Sequence, residues 1–444
     1  MFETLPGFRE FYPEDYAVRS FIFGQWRRLA RAFGFSEYEP PVLEPLELIT
    51  AKSGDEIVSQ LFNFEDKGER AVTLRPELTP SMARMVGARA NSLKRPVRWY
   101  AIGENFRYEK PQKGRLRSHF QLNADLLGEP GPAADAEVIA LLVQTLQSFG
   151  LGAGDFAIRL SDRTLWMAYL ESLGLEEAAR VHVLGVIDKL ERLEPEAVVK
   201  QLAPHFSEDA AADFLARVTE LTSIRDLDTL ERFFSAHASV EHVSQRLEAW
   251  RRLLGLLDAF GVSELIRIDL GIVRGLAYYT GFVFEAFQTV GKGRALAGGG
   301  RYDHLVEKLG GPSLPAVGFG MGDVTLRDLL EEKKLLPPLL EVADVFVIAA
   351  DEATRTAALR DVMLLRSAGY RTLYALKPTG FSKQLKQADQ AGARLALIYG
   401  EEELQAGTVK VRHLAARRES AFPRARLLEA VAQVLEEGLP EASE

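Results

Sequence analysis

Basic side chains are concentrated in one short stretch of the sequence, residues 94–117, which holds eight basic residues and two acidic ones. Within it, Arg107 and Glu109 follow a predicted β-strand over 97–102, and residues two apart on an extended chain point to the same side. A guanidinium there can hold a phosphate through two hydrogen bonds, and the carboxylate can accept from an amine. The basic loop 110–117 could clamp a polyanion such as ATP, although a solvated hairpin with a charged tip has the same pattern.

A second group of polar side chains lies at 274–281, with the sequence RGLAYYTG, after a predicted strand over 266–270. An arginine beside two tyrosines and two glycines supplies a cation, two hydroxyls and close approach of the backbone, which suits a small polar ligand. A β-hairpin with aromatic packing would explain the same residues. The residue types alone leave both interpretations open.

Two glycine-rich segments could present backbone N–H groups to a ligand. Three glycines at 298–300 precede a predicted helix over 302–309, and a glycine-alternating run at 318–322 leads into a predicted helix over 324–332. The first segment could equally be a loop without a ligand. The second is weak evidence by itself.

The extended segment 73–80, TLRPELTP, contains two prolines. Prolines at these positions are typical of a turn that leads into a helix. We expect an ordinary turn here, with Thr79 as the helix N-cap and Pro80 as the first helical residue.

Secondary-structure signals place these groups in a mixed domain that is interrupted by helices. Apolar residues at helical spacing predict a helix over 16–33, which Gly34 ends. Residues 164–260 are rich in Ala, Leu and Glu and predict a helical module inserted in this domain. The predicted strands of the domain are 97–102, 120–127, 156–160 and 266–270.

A charged, proline-bearing linker is predicted at 331–342, and the character of the sequence changes after it. Strands and helices alternate from Asp344 onwards, which indicates a separate doubly wound α/β domain over 343–440 with a parallel or mixed sheet. The predicted strands of this domain are 344–349, 371–375 and 395–398, and its predicted helices are 355–368 and 383–391. The expected fold class is therefore α/β, with a mixed α+β domain before the linker.

Composition limits the class of protein. The 444 residues are 47% hydrophobic and 26% charged, which excludes a disordered, collagen-like or membrane-embedded chain. No stretch approaches the ~18 uninterrupted apolar residues of a transmembrane helix, and no signal peptide is recognisable, so we expect a cytoplasmic protein that does not enter a membrane. The absence of cysteine excludes disulfides, thiolate zinc sites and cysteine nucleophiles. The seven histidines lack the spacing of a helical metal site, so no structural metal is expected.

The net charge of -9 would ordinarily argue against a nucleic-acid partner. Electrostatic footprints are local, however, and residues 343–420 contain twelve basic and nine acidic side chains. The excess negative charge therefore lies elsewhere in the chain, and a nucleic-acid partner is not excluded.

The order and spacing of the motifs resemble the histidyl-tRNA synthetases, a family of class II aminoacyl-tRNA synthetases, across essentially the whole chain. The helix over 16–33 with the strand after it resembles motif 1, which builds the dimer interface in that family. Residues after 343 resemble the family's anticodon-binding domain. Further matches are FRYEKPQKGRLR with motif 2, RGLAYYTG with the histidine-specific signature, AGGGRYDHLVEKLGG with the glycine loop and GFGMG with motif 3.

This resemblance implies a class II antiparallel sheet flanked by helices over 1–330, with the helical insertion at 164–260 inside it. It also implies that 343–440 is an anticodon-binding domain of doubly wound α/β type. The implied activity is ATP-dependent attachment of L-histidine to tRNA(His) through a histidyl-adenylate. Mg²⁺ on the β- and γ-phosphates and a homodimer are implied as well.

Individual roles are implied by the same resemblance. Arg107 would hold the α-phosphate of ATP, and Arg274 would bridge that phosphate and the histidine carboxylate, so both are implied to be catalytic. The residues implied to bind histidine are Glu77, Leu78, Thr79, Arg107, Gln121, Asp125, Arg274, Tyr278 and Tyr279. The residues implied to bind ATP are Arg107, Glu109, Arg115, Arg117, His119, Phe120, Gly299, Gly300, Arg301, Gly320 and Gly322.

The largest departure from the family's pattern lies in motif 3. Val324 and Thr325 occupy its Glu-Arg positions, and in the family that arginine stacks on adenine and meets the γ-phosphate. Arg327 or a cation of the motif 2 loop could replace it.

Two further positions depart from the pattern. Ala277 replaces the aspartate that is usual in the histidine signature. His119 occupies the position of an adenine-stacking phenylalanine, so either its ring or that of Phe120 could stack on the base.

Two non-enzymatic alternatives are compatible with parts of this sequence. The regulatory subunit of ATP phosphoribosyltransferase is a catalytically silent, histidine-sensing relative of the same catalytic domain, but it lacks the C-terminal domain that is expected here. A tRNA- or protein-binding scaffold would explain the altered motif 3. Because Arg107, Glu109 and Arg274 are retained, we expect an enzyme.

Overall fold

The computed structural model describes residues 2–53, 55–110, 114, 116–190, 193–237, 241–273, 279–290, 294–338 and 343–436. The chain divides into two compact units, Met1–Pro337 and Pro338–Glu444. Each unit has its own cluster of buried apolar side chains.

The first unit mixes helices and strands along its whole length. Its helices are α1 (Pro13–Ala32), α2 (Leu46–Ser53), α3 (Thr79–Arg89), α4 (Pro132–Gln147), α5 (Arg163–Ser172), α6 (Glu177–Ile187), α7 (Pro195–Leu202), α8 (Glu208–Ser223), α9 (Leu227–His237), α10 (Glu241–Ala259), α11 (Leu305–Lys308) and α12 (Asp323–Glu332). Its strands are β1 (Ser36–Glu37), β2 (Leu43–Pro45), β3 (Asn63–Glu65), β4 (Ala71–Leu74), β5 (Val97–Phe106), β6 (Ser118–Leu127), β7 (Phe156–Asp162), β8 (Ile266–Ile268), β9 (Phe282–Gln288), β10 (Ala295–Arg301) and β11 (Ala316–Gly322).

Eight of these strands form one sheet in the order β1-β5-β6-β11-β10-β9-β7-β8. The outer pairs β1–β5 and β7–β8 are parallel, whereas the pairs between them are antiparallel. The sheet is thus dominated by antiparallel pairs and flanked by helices, which confirms the expected fold class.

Helix α4 determines which face of the sheet is buried in the core. It is apolar almost all round and packs between the sheet and helices α1 and α10. Side chains of a strand alternate between its two faces. Leu122, Ala124 and Leu126 of β6 join the core cluster that contains α4. The odd-numbered side chains of β6 therefore point to the opposite face.

The helical insertion consists of α5 to α10 and lies between strands β7 and β8 in sequence. Asp162 connects it to the sheet, because its buried carboxylate accepts from the backbone N–H groups of Thr164 and Leu165 and caps α5. The same carboxylate accepts from Arg246 and, at 2.9 Å, from Trp250, both on α10. One side chain at the end of β7 thus binds the first and the last helix of the insertion.

Both glycine-rich segments form strands, which corrects the interpretation that their backbone N–H groups are free to face a ligand. Residues 298–300 lie inside β10, and the run at 318–322 lies inside β11, so their backbone groups pair with neighbouring strands. The helix expected over 302–309 is the shorter α11. Leu78, and not Thr79, is the N-cap of α3.

The second unit is a mixed α/β sandwich. Its strands are β12 (Val345–Ala349), β13 (Thr372–Tyr374), β14 (Leu395–Tyr399), β15 (Thr408–His413) and β16 (Arg418–Pro423), and its helices are α13 (Glu352–Ser367), α14 (Phe381–Gln390), α15 (Glu401–Gln405) and α16 (Leu427–Glu436). The sheet order is β13-β12-β14-β15-β16, with β13, β12 and β14 parallel and the last two strands antiparallel. Asp351 begins α13 with a capping box to Thr354.

The segment predicted as a linker belongs in part to the first unit. Helix α12 continues to Glu332, Lys333 pairs with Asp155 at 2.7 Å, and Leu335 and Leu336 pack against the core.

Within the described ranges, no helix is both long and apolar enough to cross a membrane.

A fragment ending at Pro338 should be more stable than a fragment ending at Leu330. The shorter chain loses the ion pair of Lys333 and the packing of Leu335 and Leu336, and partial burial of two leucines is worth roughly 1–3 kcal/mol. Urea unfolding of both fragments measures the difference. Equal free energies of unfolding would show that residues 331–338 are only a connector.

Candidate active site

Two adjoining cavities open on the face of the sheet away from α4. The first, here called the polar cavity, is lined by Glu77, Thr79, Arg107, Gln121, Asn123, Asp125, Tyr279, Gly298, Tyr302, Gly318, Phe319 and Gly320. The second, here called the loop cavity, is lined by Arg107, Glu109, Gly114, Leu116, His119, Gly322, Val324 and Thr325. Arg107 lines both of them.

The floor of the polar cavity is formed by polar side chains of β6 and by glycines of the neighbouring strand β11. Gln121, Asn123 and Asp125 alternate along β6 and share one face of the sheet. On β11, Gly318 lies opposite Asp125, and Gly320 lies opposite Asn123. A Cβ at Gly318 would overlap the Asp125 carboxylate, and one at Gly320 would overlap the Gln121 amide. The glycines of β11 are therefore required so that the polar side chains of β6 can lie across the neighbouring strand.

Asp125 is a fully buried carboxylate at the bottom of this cavity. Its Oδ1 accepts a short hydrogen bond from the Tyr302 hydroxyl, while Oδ2 has no partner among the described residues. Burial raises the pKa of Asp125 to about 7, although the Tyr302 hydrogen bond and the Lys52 ammonium act in the opposite direction. A buried acceptor without a partner is unfavourable, so this atom is expected to bind a donor of a ligand.

Asn123 offers a second acceptor of the same kind. Its Oδ1 is buried and lacks a partner within the part of the chain that the structure describes, and its Nδ2 is 3.4 Å from Thr79 Oγ1. Gln121 is oriented by Asn105, whose Nδ2 donates to Oε1 at 3.0 Å. The cavity therefore presents oriented acceptors to N–H groups of a ligand.

Glu77 supplies a carboxylate at the edge of the polar cavity. Lys52, itself buried, donates to it at 2.5 Å. Burial alone would favour the neutral acid, but Lys52 and Arg107 together hold the pKa of Glu77 below its usual range. Glu77 is therefore ionised at neutral pH and can accept from an ammonium group.

The loop cavity lies between the turn of the β5–β6 hairpin and the start of α12. The imidazole ring of His119 lines this cavity. Burial lowers the pKa of His119 to about 4, and the charges of Arg107 and Arg9 add to this effect. The ring is therefore neutral at pH 7, and a neutral imidazole can lie against an aromatic base without bringing a charge.

Phe120 does not share this cavity, which corrects its assignment to the ATP site. It lies on the other face of β6, where its ring packs against Phe11 and Phe23. Its backbone N–H donates to Asp323 at 2.9 Å. Of the two rings considered from the sequence, only that of His119 lines the loop cavity.

Arg301 also lies away from both cavities. Its side chain is buried, donates to Asp135 at 2.6 Å and Asp303 at 3.1 Å, and reaches the backbone carbonyls of Glu129 and Gly131. These contacts join β10 to the start of α4. The expectation that Arg301 binds ATP is therefore wrong on geometric grounds, because its donors are already occupied.

The four glycines implied to bind ATP differ in their positions relative to the two cavities. Gly322 lines the loop cavity and Gly320 the polar cavity, whereas Gly299 packs against Phe284 and Phe319 on the other side of the sheet. Gly300 lies under the ring of Tyr279, which lines the polar cavity.

Leu78 and Arg117 lie outside the lining of both cavities, as far as the described residues show. Leu78 is buried beside Gly103 of β5. Arg117 donates to the backbone carbonyl of Glu109 at 3.1 Å and lies over the Tyr108 ring. Arg115, Arg274 and Tyr278 fall outside the described residues, and their assigned roles stay predictions.

Residues of the site that the sequence did not assign to it include Lys52, Asn123, Tyr302 and Phe319. The alternation of β6 would have identified Asn123, because it lies between Gln121 and Asp125 on the same face. No local signal marks Lys52, which approaches Glu77 only through the packing of α2 against α3.

Comparison with known proteins agrees with this geometry. The family model described as "Histidyl-tRNA synthetase" matches residues 7–325, and the one described as "Anticodon binding domain" matches residues 344–434. The chain belongs to the histidyl-tRNA synthetase family. This membership confirms the resemblance seen in the motifs.

Relatives in this family match nearly the full chain. Histidine--tRNA ligase of Opitutus terrae is 54% identical over 423 residues, which cover 95% of this chain and 96% of the relative. The chloroplastic/mitochondrial histidine--tRNA ligase of Arabidopsis thaliana is 38% identical over 409 residues, covering 92% and 82%. The crystal structure of histidyl-tRNA synthetase from a Nostoc species has a TM-score of 0.80 at 24% identity and covers 98% of this chain and 99% of that one. At that identity the structural match supports the fold alone.

Replacing Arg301 with Met should destabilise the protein without weakening nucleotide binding. The change leaves the buried Asp135 without its cation, and breaking such a pair typically costs about 3–5 kcal/mol. Urea unfolding measures the loss, and adding Asp135→Leu to the variant should recover most of it. A higher KM for ATP with unchanged stability would contradict this structural role.

Replacing Asp125 with Asn should stabilise the protein more at pH 8 than at pH 5. The pKa of Asp125 is about 7 in the folded chain and about 3.8 when unfolded, so the wild type loses stability as the pH rises between these values. Asn does not titrate, and the gain between the two pH values should be on the order of 2–3 kcal/mol. Urea unfolding at both pH values measures it, and an equal effect at pH 5 and pH 8 would contradict the raised pKa.

Proposed function

We propose that this chain attaches L-histidine to tRNA(His), using ATP, through a histidyl-adenylate intermediate. The observation that carries the proposal is the position of Arg107 in the wall of both cavities. A guanidinium at that point can contact a phosphate in one cavity while a reacting carboxylate lies in the other. Family membership supports the same assignment.

The polar cavity is suited to histidine as the amino acid. Glu77, ionised beside Lys52, would accept from the α-ammonium group. Asp125 Oδ2 would accept from the imidazole N–H, since this acceptor is buried and otherwise unpaired among the described residues. An amino acid without a donor at that position would leave the carboxyl group unpaired, and such a loss gives large discrimination factors.

Adenylation requires little covalent chemistry from the protein. An oxygen of the histidine carboxylate attacks the α-phosphorus, the bond to the bridging oxygen breaks, and pyrophosphate leaves. Arg107 would neutralise the charge that develops on the α-phosphate, and we assign the same task to Arg274. Catalysis of this step is then mainly positioning and charge stabilisation.

Transfer to tRNA completes the reaction. A hydroxyl of the terminal ribose attacks the carbonyl carbon of the adenylate and releases its proton, and AMP leaves with the electrons of the broken carbon–oxygen bond. No covalent intermediate with the enzyme is needed. The match of residues 344–434 to an anticodon-binding domain supports tRNA(His) as the partner of the second unit.

Mg²⁺ is part of this proposal as a companion of the nucleotide. Among the described residues, no three His, Asp or Glu side chains are grouped as a metal site. Mg²⁺ usually keeps several waters and binds through substrate phosphates, so it needs no such cluster. It would neutralise charge on the β- and γ-phosphates.

A catalytically silent regulatory paralogue is less well supported. That paralogue lacks the anticodon-binding domain to which this chain matches. In addition, Arg107 and Glu109 both line the loop cavity, as an ATP site requires.

We also infer a homodimer, as motif 1 implies. Helix α1 buries Ile22, Trp26 and Leu29 in its own core, while Tyr12 and Tyr16 at its start are exposed. Exposed aromatic side chains at this place could be covered by a second copy through an isologous contact. Light scattering at micromolar concentration tests this, because a dimer has twice the mass of the chain.

Histidine-dependent exchange of pyrophosphate into ATP should be present in the wild type and strongly reduced in Arg274 variants. Arg274→Ala and Arg274→Lys remove a forked guanidinium that two anions would share, and losing one such donor typically slows a reaction by about 10²–10³. Melting temperatures should stay unchanged. Near-normal exchange together with a lowered melting temperature would remove Arg274 from the catalytic residues, and wild-type protein without exchange would refute the proposed activity.

A further inference from the structure

The turn between β9 and β10 carries an arginine that the mechanism above does not use. The backbone carbonyl of Arg294 accepts from Gln288 N at 3.1 Å, which closes this end of the hairpin. Its Nη2 donates to Asp328 of α12 at 3.0 Å. The side chain thus reaches from the turn to the helix that carries Thr325.

The guanidinium of Arg294 lies directly behind the wall of the loop cavity. Gly114 has a φ of +80°, and a Cβ built on it would overlap Arg294 Nη1 and lie 3.6 Å from Thr325 Cγ2. Gly114 and Thr325 both line the cavity. Glycine at 114 therefore allows the hairpin turn to lie against the arginine at this wall.

One nitrogen of this guanidinium is unsatisfied. Nη1 is buried and has no hydrogen-bond partner among the described residues. A buried donor without an acceptor is unfavourable, which indicates that an acceptor reaches it in a bound state. Arg327 on the same helix differs, because Asp15 and Glu331 bind its guanidinium at 2.8 and 2.7 Å. The expectation that Arg327 serves the nucleotide is therefore not supported by its contacts.

Among the described residues that line the loop cavity, none on α12 is basic, and Arg9, whose charge acts on His119, is paired with Asp323 at 2.8 Å. The lining contains one arginine, Arg107, and one glutamate, Glu109, while the ring of His119 is neutral at pH 7 and Thr325 carries no charge. A nucleoside triphosphate brings several negative charges, and Mg²⁺ neutralises only part of them. A further cation near α12 would complete the charge balance.

We propose that Arg294 binds the terminal phosphates of ATP in place of the arginine that motif 3 of the family carries at position 325. Thr325 and Asp328 are three residues apart on α12 and therefore neighbours on one helix face. An arginine held by Asp328 consequently reaches the space that an arginine at 325 would occupy. This inference rests on the proposed function, because it takes ATP as the ligand of the loop cavity.

Binding of ATP and of AMP, compared by titration calorimetry, tests the proposal. Only ATP has terminal phosphates, so Arg294→Met should weaken ATP binding at least 10-fold and change AMP binding less than twofold. Arg294→Lys, which keeps a charge but not the fork, should fall between the wild type and Arg294→Met. Arg327→Met on the same helix is the matched control and should leave both affinities unchanged.

A second-site rescue variant gives an independent measurement of the ATP affinity. Adding Thr325→Arg to Arg294→Met should restore most of the lost ATP affinity, since it returns a cation to the same space. An equal loss for ATP and AMP, or no loss for either, would overturn the role of Arg294. Wild-type protein that binds AMP and ATP but lacks histidine-dependent exchange would refute the proposed function while leaving the ATP-to-AMP comparison valid.

Discussion

The close approach of two strands is the constraint on which the site depends. Strand β6 presents Gln121, Asn123 and Asp125 on a face that must lie against neighbouring backbone, and β11 provides glycines at 318 and 320. Any side chain at these glycines would occupy the space of the polar groups. On the other face of β6, leucines join the core that contains α4. The same strand therefore stabilises the fold with one face and builds a ligand cavity with the other.

Charge inside the polar cavity follows from this arrangement. A carboxylate buried as deeply as Asp125 favours its neutral form unless a ligand donates to it. Glu77 differs because Lys52 and Arg107 are close enough to keep it ionised. The two carboxyl groups of one cavity therefore have pKa values shifted in opposite directions, that of Asp125 upwards and that of Glu77 downwards. The cavity is consequently prepared for a ligand that brings an ammonium group to one and a neutral N–H to the other.

The β5–β6 hairpin and helix α12 connect the two cavities. Arg107 leaves β5 where the strands begin to turn, which places one cation between both ligand spaces. Asp323, the first residue of α12, binds Phe120 N and the Arg9 side chain and so fixes the helix start against the hairpin. Asp328, further along this helix, holds Arg294 behind the wall of the loop cavity, which Val324 and Thr325 of the same helix line.

Much of this protein follows from the sequence by itself. Periodicity predicted α1, the β5–β6 pair, the helical insertion and the mixed sheet of the second unit, because these depend on local alternation and helical spacing. Motif order indicated the family and placed Arg107, Gln121 and Asp125 in one site. Only the tertiary structure showed that the glycine runs are strands, that Phe120 faces the core, and that Arg301 is buried beside Asp135. Those features, like the meeting of Lys52 with Glu77, depend on contacts between residues far apart in the chain, which no local pattern encodes.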